Sequence, residues 1–290
     1  MKALKTHSSV SQQVSLLQKR GLSIANPKDA EAVLLRVNYY RLSGYLHDFK
    51  QPSSGLYIQG LTWERLKRIY DFDRKLTRIL LYTLEDIEET LKTRFSYMIT
   101  SRYPSDSLIY LRPDIYRDYS AYLRFLDSFY QSTDNNSNLP FVKHHKQVYG
   151  GMLPLWVAVE LLTMGNLHAV YENLITKYQK ALAREYRTGV RQLSSWIENL
   201  TYTRNHLAHY MRIYNFNFGR TPAKCSQHPR SFTQTHMIFD QICAIANMYS
   251  DPDEWVNYVL AELKALIDEY AEDVELCGLG FPENWEQVLR

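Results

Sequence analysis

From Leu66 to Met98 apolar residues recur at steps of three or four: Leu66, Ile69, Phe72, Leu76, Ile79, Leu80, Leu84, Ile87, Leu91, Phe95 and Met98. No Gly or Pro interrupts them. At 3.6 residues per turn this spacing puts every one of them on one face. It therefore predicts one long amphipathic helix, or two abutting ones, over residues 61–101. Thr62, with Glu64 and Arg65 close behind, supplies a start signal, and Pro104 a stop. A helix of that length must be covered along its whole apolar face, so the rest of the chain has to pack around it.

The remaining periodicity is helical too. Residues 10–20 and 28–46 read as helices, the second with Asn26 as cap and Pro27 in its first turn. Residues 114–131 read as a helix capped by Asp114, and the polar run 131–140 as a loop. Pro154 starts a further helix that Gly165 closes or bends, and segments 167–188, 190–214, 231–249 and 252–274 complete the series. Period-two alternation persists nowhere, and no internal repeat is present. The expected fold is all-α, a multi-helix bundle with additional N-terminal and C-terminal helices.

With 45% hydrophobic and 22% charged residues the chain has the composition of a folded protein. Its apolar stretches, such as Ile79–Tyr82, are too short to span a bilayer. The start, Met1–His7, leads into polar residues and has no secretory pattern. Cys225, Cys243 and Cys277 are odd in number and far apart, which is no disulfide framework and fits a reducing cytoplasm. A cytoplasmic protein without a membrane partner is expected.

Charge is unevenly distributed. Residues 1–249 carry 32 Lys and Arg against 20 Asp and Glu, a net +12, and residues 250–290 carry 2 against 11, a net −9; together these give the formal +3 of the chain. A basic body suits a polyanion such as nucleic acid. The acidic end either occupies that basic surface or forms a solvated helix face. Many of the 23 Tyr and 11 Phe stand beside Arg or Lys, a pattern that stacks bases and contacts phosphates, though most such rings serve ordinary packing. The organisation expected is an N-terminal helical segment at 1–60, a helical core at 61–249, and an acidic helical segment at 250–290 packed on that core.

The most specific local signal is Tyr202-Thr203-Arg204-Asn205-His206-Leu207-Ala208-His209. Arg204 and His209 lie about 140° apart around a helix, and Asn205 shares a face with His209. A guanidinium clamps phosphate, and an imidazole moves a proton near neutral pH. Those two groups suffice for RNA cleavage without a metal, because the ribose 2′-OH is itself the nucleophile. By spacing alone the pattern is weak: an Asn–His pair that caps a helix or satisfies a buried contact reads the same way. Cys225, His228 and His236 make a poor zinc set. GxxxxGK[ST], GxGxxG, HExxH and GxSxG are all missing, so nucleotide-triphosphate enzymes, zinc proteases and α/β-hydrolases lack support. No cofactor is expected.

Four blocks in order carry a resemblance. They are Asn38-Tyr39-Tyr40-Arg41-Leu42-Ser43-Gly44-Tyr45; Phe72-Asp73-Arg74-Lys75-Leu76 followed by Glu85 and Glu88-Glu89; Pro154-Leu155-Trp156-Val157-Ala158-Val159-Glu160 with Gly165; and Trp196 leading to Arg204-Asn205-His206-Leu207-Ala208-His209-Tyr210-Met211-Arg212. Together they resemble the Abi-like family of bacterial abortive-infection proteins, of the AbiD/AbiF type, over roughly residues 10–215. That family is grouped with HEPN domains, helical modules whose RNxxxH motif commonly marks metal-independent endoribonucleases. The resemblance implies phage defence, an RNA partner that in some relatives is a small structured non-coding RNA, and Arg204, Asn205 and His209 as the catalytic set. HEPN sites are commonly built from two facing motifs, so the single motif here implies a homodimer. The cations expected to meet RNA are Arg41, Arg68, Arg74, Lys75, Arg78, Arg94 and Arg212, some of which must instead pair with Asp71, Asp73 or Glu85. Two other readings stay open: an RNA-binding toxin or regulator that cleaves nothing, and a helical scaffold for another protein.

Overall fold

Thr62 accepts a hydrogen bond on its hydroxyl from the Arg65 amide at 3.1 Å, and from that cap a single helix runs without a break over Trp63–Thr100. In the computed structural model, which describes residues 6–226, 228 and 232–290, this helix is the axis of the molecule. Its 38 residues span about 57 Å at 1.5 Å per residue. Every residue of the predicted apolar stripe is buried except Ile79, which is half-buried.

Three helices precede it: α1 (Val10–Lys19), α2 (Pro27–Leu34) and α3 (Tyr39–Tyr45). The helix expected over 28–46 is thus two. The Asn38 side chain accepts from the Tyr40 amide at 2.7 Å and starts a new helix there. The long helix is α4. After it come α5 (Tyr119–Asn135), α6 (Pro140–Val148), α7 (Leu155–Ala158), α8 (Met164–Asn173), α9 (Thr176–Glu185) and α10 (Val190–Ala208). The cap of α5 is Asp118, which accepts from the Ala121 amide at 2.7 Å, while Asp114 grips Arg112 instead. The polar run expected as a loop is helical as far as Asn135, held by a bond from the Ser132 hydroxyl to the Leu161 carbonyl at 2.9 Å. Gly165 sits in the first turn of α8, behind the cap made by Thr163 and Asn166. Extended backbone at Leu174 and Ile175 divides α8 from α9.

The C-terminal part comprises α11 (Ile238–Met248), α12 (Pro252–Glu254) running through a π-helical stretch (Trp255–Val259) into α13 (Leu260–Glu269), and α14 (Trp285–Leu289). The helix expected from residue 231 begins at Ile238, and position 231 itself lies outside the described residues. All of α11 is buried. α4 packs against α3, α7, α9, α10, α11 and α13, and α10 against α8, α9 and α11. One apolar core runs through all of them. Among the described residues β-structure is confined to isolated bridges, no disulfide joins the three cysteines, and no helix is long and apolar enough to cross a membrane.

Candidate functional site

The last turns of α10 sort the motif by face. Leu200, Thr203, His206 and Leu207 point into the core, while Arg204, Asn205 and His209 are exposed. His209 caps the helix, its amide bonded to the Asn205 carbonyl at 3.0 Å. The Arg204 guanidinium lies 3.5 Å from the Asn205 side-chain oxygen. His206, by contrast, is a core residue. Its Nε2 meets the Arg212 carbonyl at 2.8 Å, and its ring packs on Phe216 at 4.3 Å and Phe218 at 5.2 Å. A carbonyl only accepts, so Nε2 carries the proton, and burial pushes the pKa down toward the neutral ring.

α10 stops at a tyrosine where glycine is usual. Tyr210 has φ 58°, in the left-handed region. Its amide bonds to the Leu207 carbonyl at 2.9 Å and the Met211 amide to the His206 carbonyl at 3.1 Å, the paired bonds of a Schellman turn. A side chain in that conformation costs about 1–2 kcal/mol. Two arginines hold it there. Arg41 of α3 donates to the Tyr210 carbonyl, and the Arg74 guanidinium of α4 lies 4.7 Å from the centre of its ring.

The chain beyond the turn is fastened by a buried carboxylate. Asp73, 2% exposed, accepts from the Ile213 and Tyr214 amides, each at 2.8 Å, and from the Tyr45 hydroxyl at 2.7 Å. Burial pushes its pKa up to about 6, against the lowering effect of those three donors and of the Arg212 charge. Arg212 itself bonds the Gly44 carbonyl at 2.8 Å and Asp48 at 2.7 Å. Sequence blocks from α3, α4 and the end of α10 thus meet at one place.

The remaining blocks meet at Arg204. Its Nε stands 3.9 Å from Glu88, which also pairs with Lys92 at 3.1 Å. Glu85, Glu89 and Glu160 join these residues around an open cleft of about 320 Å³. Four carboxylates against two cations make that cleft unfavourable for phosphate.

The cations singled out in the sequence divide into three groups. Arg41, Arg74 and Arg212 stand at the end of α10. Arg68 and Lys75 face the acidic C-terminal segment: Lys75 pairs with Glu269 at 2.8 Å, Arg68 with Asp273, and both lie over the Tyr270 ring. Arg78 lines a shallow groove on the same side with Glu262 and Glu269. Arg94 lies apart, over Tyr186 and bonded to the Glu185 carbonyl at 3.2 Å. Asp73, Tyr45 and Tyr210 escape the sequence reading as site residues. The one available signal was a carboxylate at position 73, four residues after Ile69 on an apolar face. Among the described residues no group of three or more His, Cys, Asp or Glu could hold a metal ion. Cys225, His228 and His236 are engaged separately, with Thr188, the Tyr186 carbonyl and Thr221.

The model of one protein family, described as Abi-like protein, matches residues 32–215. The matched span takes in the end of α2, both clusters around α10, and the segment tied down by Asp73. No curated protein and no solved structure matches the chain.

Proposed function

The chain belongs to the Abi-like family, and on that premise we propose that it is an abortive-infection effector of phage defence that binds RNA and cleaves it as a HEPN-type endoribonuclease. Arg204 holds the scissile phosphate and balances the charge of the phosphorane. Asn205, one turn before His209, orients the site. One imidazole takes the 2′-hydroxyl proton as that oxygen bonds to phosphorus. A second gives a proton to the departing 5′-oxygen as its bond to phosphorus breaks. The products are a 2′,3′-cyclic phosphate and a 5′-hydroxyl, and the enzyme is left with its protons exchanged between the two rings. A single chain offers one His209, so the reading includes a homodimer in which two motifs face each other across a two-fold axis.

The observation that carries the reading is the exposed grouping of Arg204, Asn205 and His209 at a helix end that two distant segments, α3 and α4, lock in place. The test is incubation of purified protein with end-labelled RNA in EDTA. Cleavage to a cyclic phosphate, lost in His209→Ala, supports it. A second reading, an RNA-binding toxin or regulator held by a small structured non-coding RNA, is favoured by one observation: among the described residues no hydrogen bond orients the His209 ring. Tight binding without turnover would select that reading.

A further inference from the structure

We propose that the Tyr210 ring is a stacking platform for a nucleobase next to the scissile phosphate, so that the substrate is single-stranded RNA whose bases are free to splay. The proposal rests on the RNA-cleaving reading above and adds a base-binding subsite to it.

The first observation is conformational. Left-handed non-glycine residues persist only where their surroundings hold them, and they gather at functional sites. Glycine would complete the same turn without strain. Tyr210 is kept there by Arg41 on its carbonyl and Arg74 on its ring. The second observation is what that conformation accomplishes. The tyrosine is 56% exposed rather than packed into the core, and it directly follows the exposed imidazole of His209. The third is electrostatic. With Arg74 at 4.7 Å the ring is already half of a cation–aromatic stack, and a base adding to it would sit beside Arg41 and Arg74, whose charges suit the flanking phosphates. Tyr40, 85% exposed, directly precedes Arg41 in the chain, and Met211, 51% exposed, directly follows Tyr210. A paired base offers no free face, so duplex RNA is excluded from this subsite.

The experiment uses the full chain carrying His209→Ala, to prevent turnover, and a fluorescein-labelled single-stranded RNA, intact or with abasic residues. Four further variants are compared: Tyr210→Asn and Tyr210→Gly, which keep the left-handed turn without a ring, and Tyr210→Phe and Tyr210→Trp, which keep a ring. The expected result is a loss of affinity on the order of tenfold for Asn and Gly, with Phe and Trp near the parent. Melting temperatures of Asn and Gly should hold or rise, because both residues adopt the left-handed region with less strain than tyrosine. Base removal should weaken the parent but cost the Asn variant little, since the partner of the missing base is already missing. Equal affinity in Tyr210→Asn and the parent overturns the subsite, and so does an equal cost of base removal in both. A changed oligomeric mass with unchanged RNA affinity overturns it in favour of a protein interface. If the parent binds no RNA at all, the functional reading falls and this subsite with it; if the parent binds and the variants match it, only the subsite falls.

Discussion

The Tyr45 hydroxyl donates to the Asp73 carboxylate at 2.7 Å in a fully buried setting. The pair joins α3 to α4, and the same carboxylate holds the Ile213 and Tyr214 amides just beyond the motif. Two lone oxygens therefore organise three segments that lie 28 to 141 positions apart in sequence. A buried carboxylate is tolerable only with its donors in place, because an unsatisfied charge in the core costs far more than its hydrogen bonds return.

Asp73→Asn should lower stability at pH 7 by about 1–3 kcal/mol, since the amide nitrogen would face a backbone N–H where an oxygen now accepts. The pH dependence gives a second, independent readout. The folded pKa, near 6, lies above the ordinary 3.8, so the native state binds the proton more tightly than the unfolded chain. That contribution is complete below about pH 4 and is lost as pH rises through 6. Thermal unfolding at pH 4.5 and pH 7 should show a fall in the parent that is flattened in the variant. An unchanged slope would mean Asp73 does not titrate as its burial requires.

α4 was fully legible in the sequence, because one period, one cap and no breaker agree over its whole length. The helix ends were not. Asn38 and Asp118 decide where α3 and α5 begin, yet Asp114 offers the same local chemistry and is diverted by Arg112. The helical tail of α5 depends on the Leu161 carbonyl, 29 positions away. At the candidate site the motif could be read as a pattern, and its sorting into an exposed Arg204–Asn205–His209 face and a buried His206 follows from helical geometry. The left-handed Tyr210 could not be read, since only a glycine there would have signalled the turn. Nor could the burial of Asp73, which depends on partners that only the tertiary fold brings together.

His209→Ala should abolish RNA cleavage and phage defence while leaving the melting temperature and RNA affinity close to the parent. The side chain is exposed, so its loss leaves no cavity. A proton-transfer group acts mainly in the transition state, contributing about 10²–10⁴-fold in rate. Single-turnover cleavage, binding and melting measured on one preparation decide the matter. Retained activity at an unchanged melting temperature would show that the catalytic assignment is wrong.

Arg204→Ala should damage binding and turnover together, because a phosphate clamp acts on bound RNA as well as on the phosphorane. Removing one phosphate contact should reduce the slope of log affinity against log salt by about 0.7–1. Glu88→Gln should act in the opposite direction, raising affinity at low salt, since Glu88 stands 3.9 Å from the Arg204 guanidinium and would compete with a phosphate for it. Salt titrations of the two variants beside the parent check both signs, and a matching loss in both would mean that Glu88 supports Arg204 rather than competing for it.

The acidic C-terminal segment offers the last test. Glu269 and Asp273 neutralise Lys75 and Arg68, two of the cations expected to meet RNA, and Arg65 pairs with Glu275 at 3.5 Å in the same region. The segment is anchored by buried Leu263, Leu266, Ile267 and Tyr270, so it stays in place when its charges are changed. Glu269→Gln with Asp273→Asn therefore removes the counter-charges without removing the helix. If RNA runs along this side of α4, the double variant should bind it more tightly than the parent, with a steeper salt dependence, because two more cations are free to displace counterions. If RNA is confined to the end of α10, affinity and slope should match the parent, and Arg68 and Lys75 then serve to dock α13. Adding Arg74→Ala separates the two paths, because Arg74 stands at the end of α10 and its loss should weaken binding in either background.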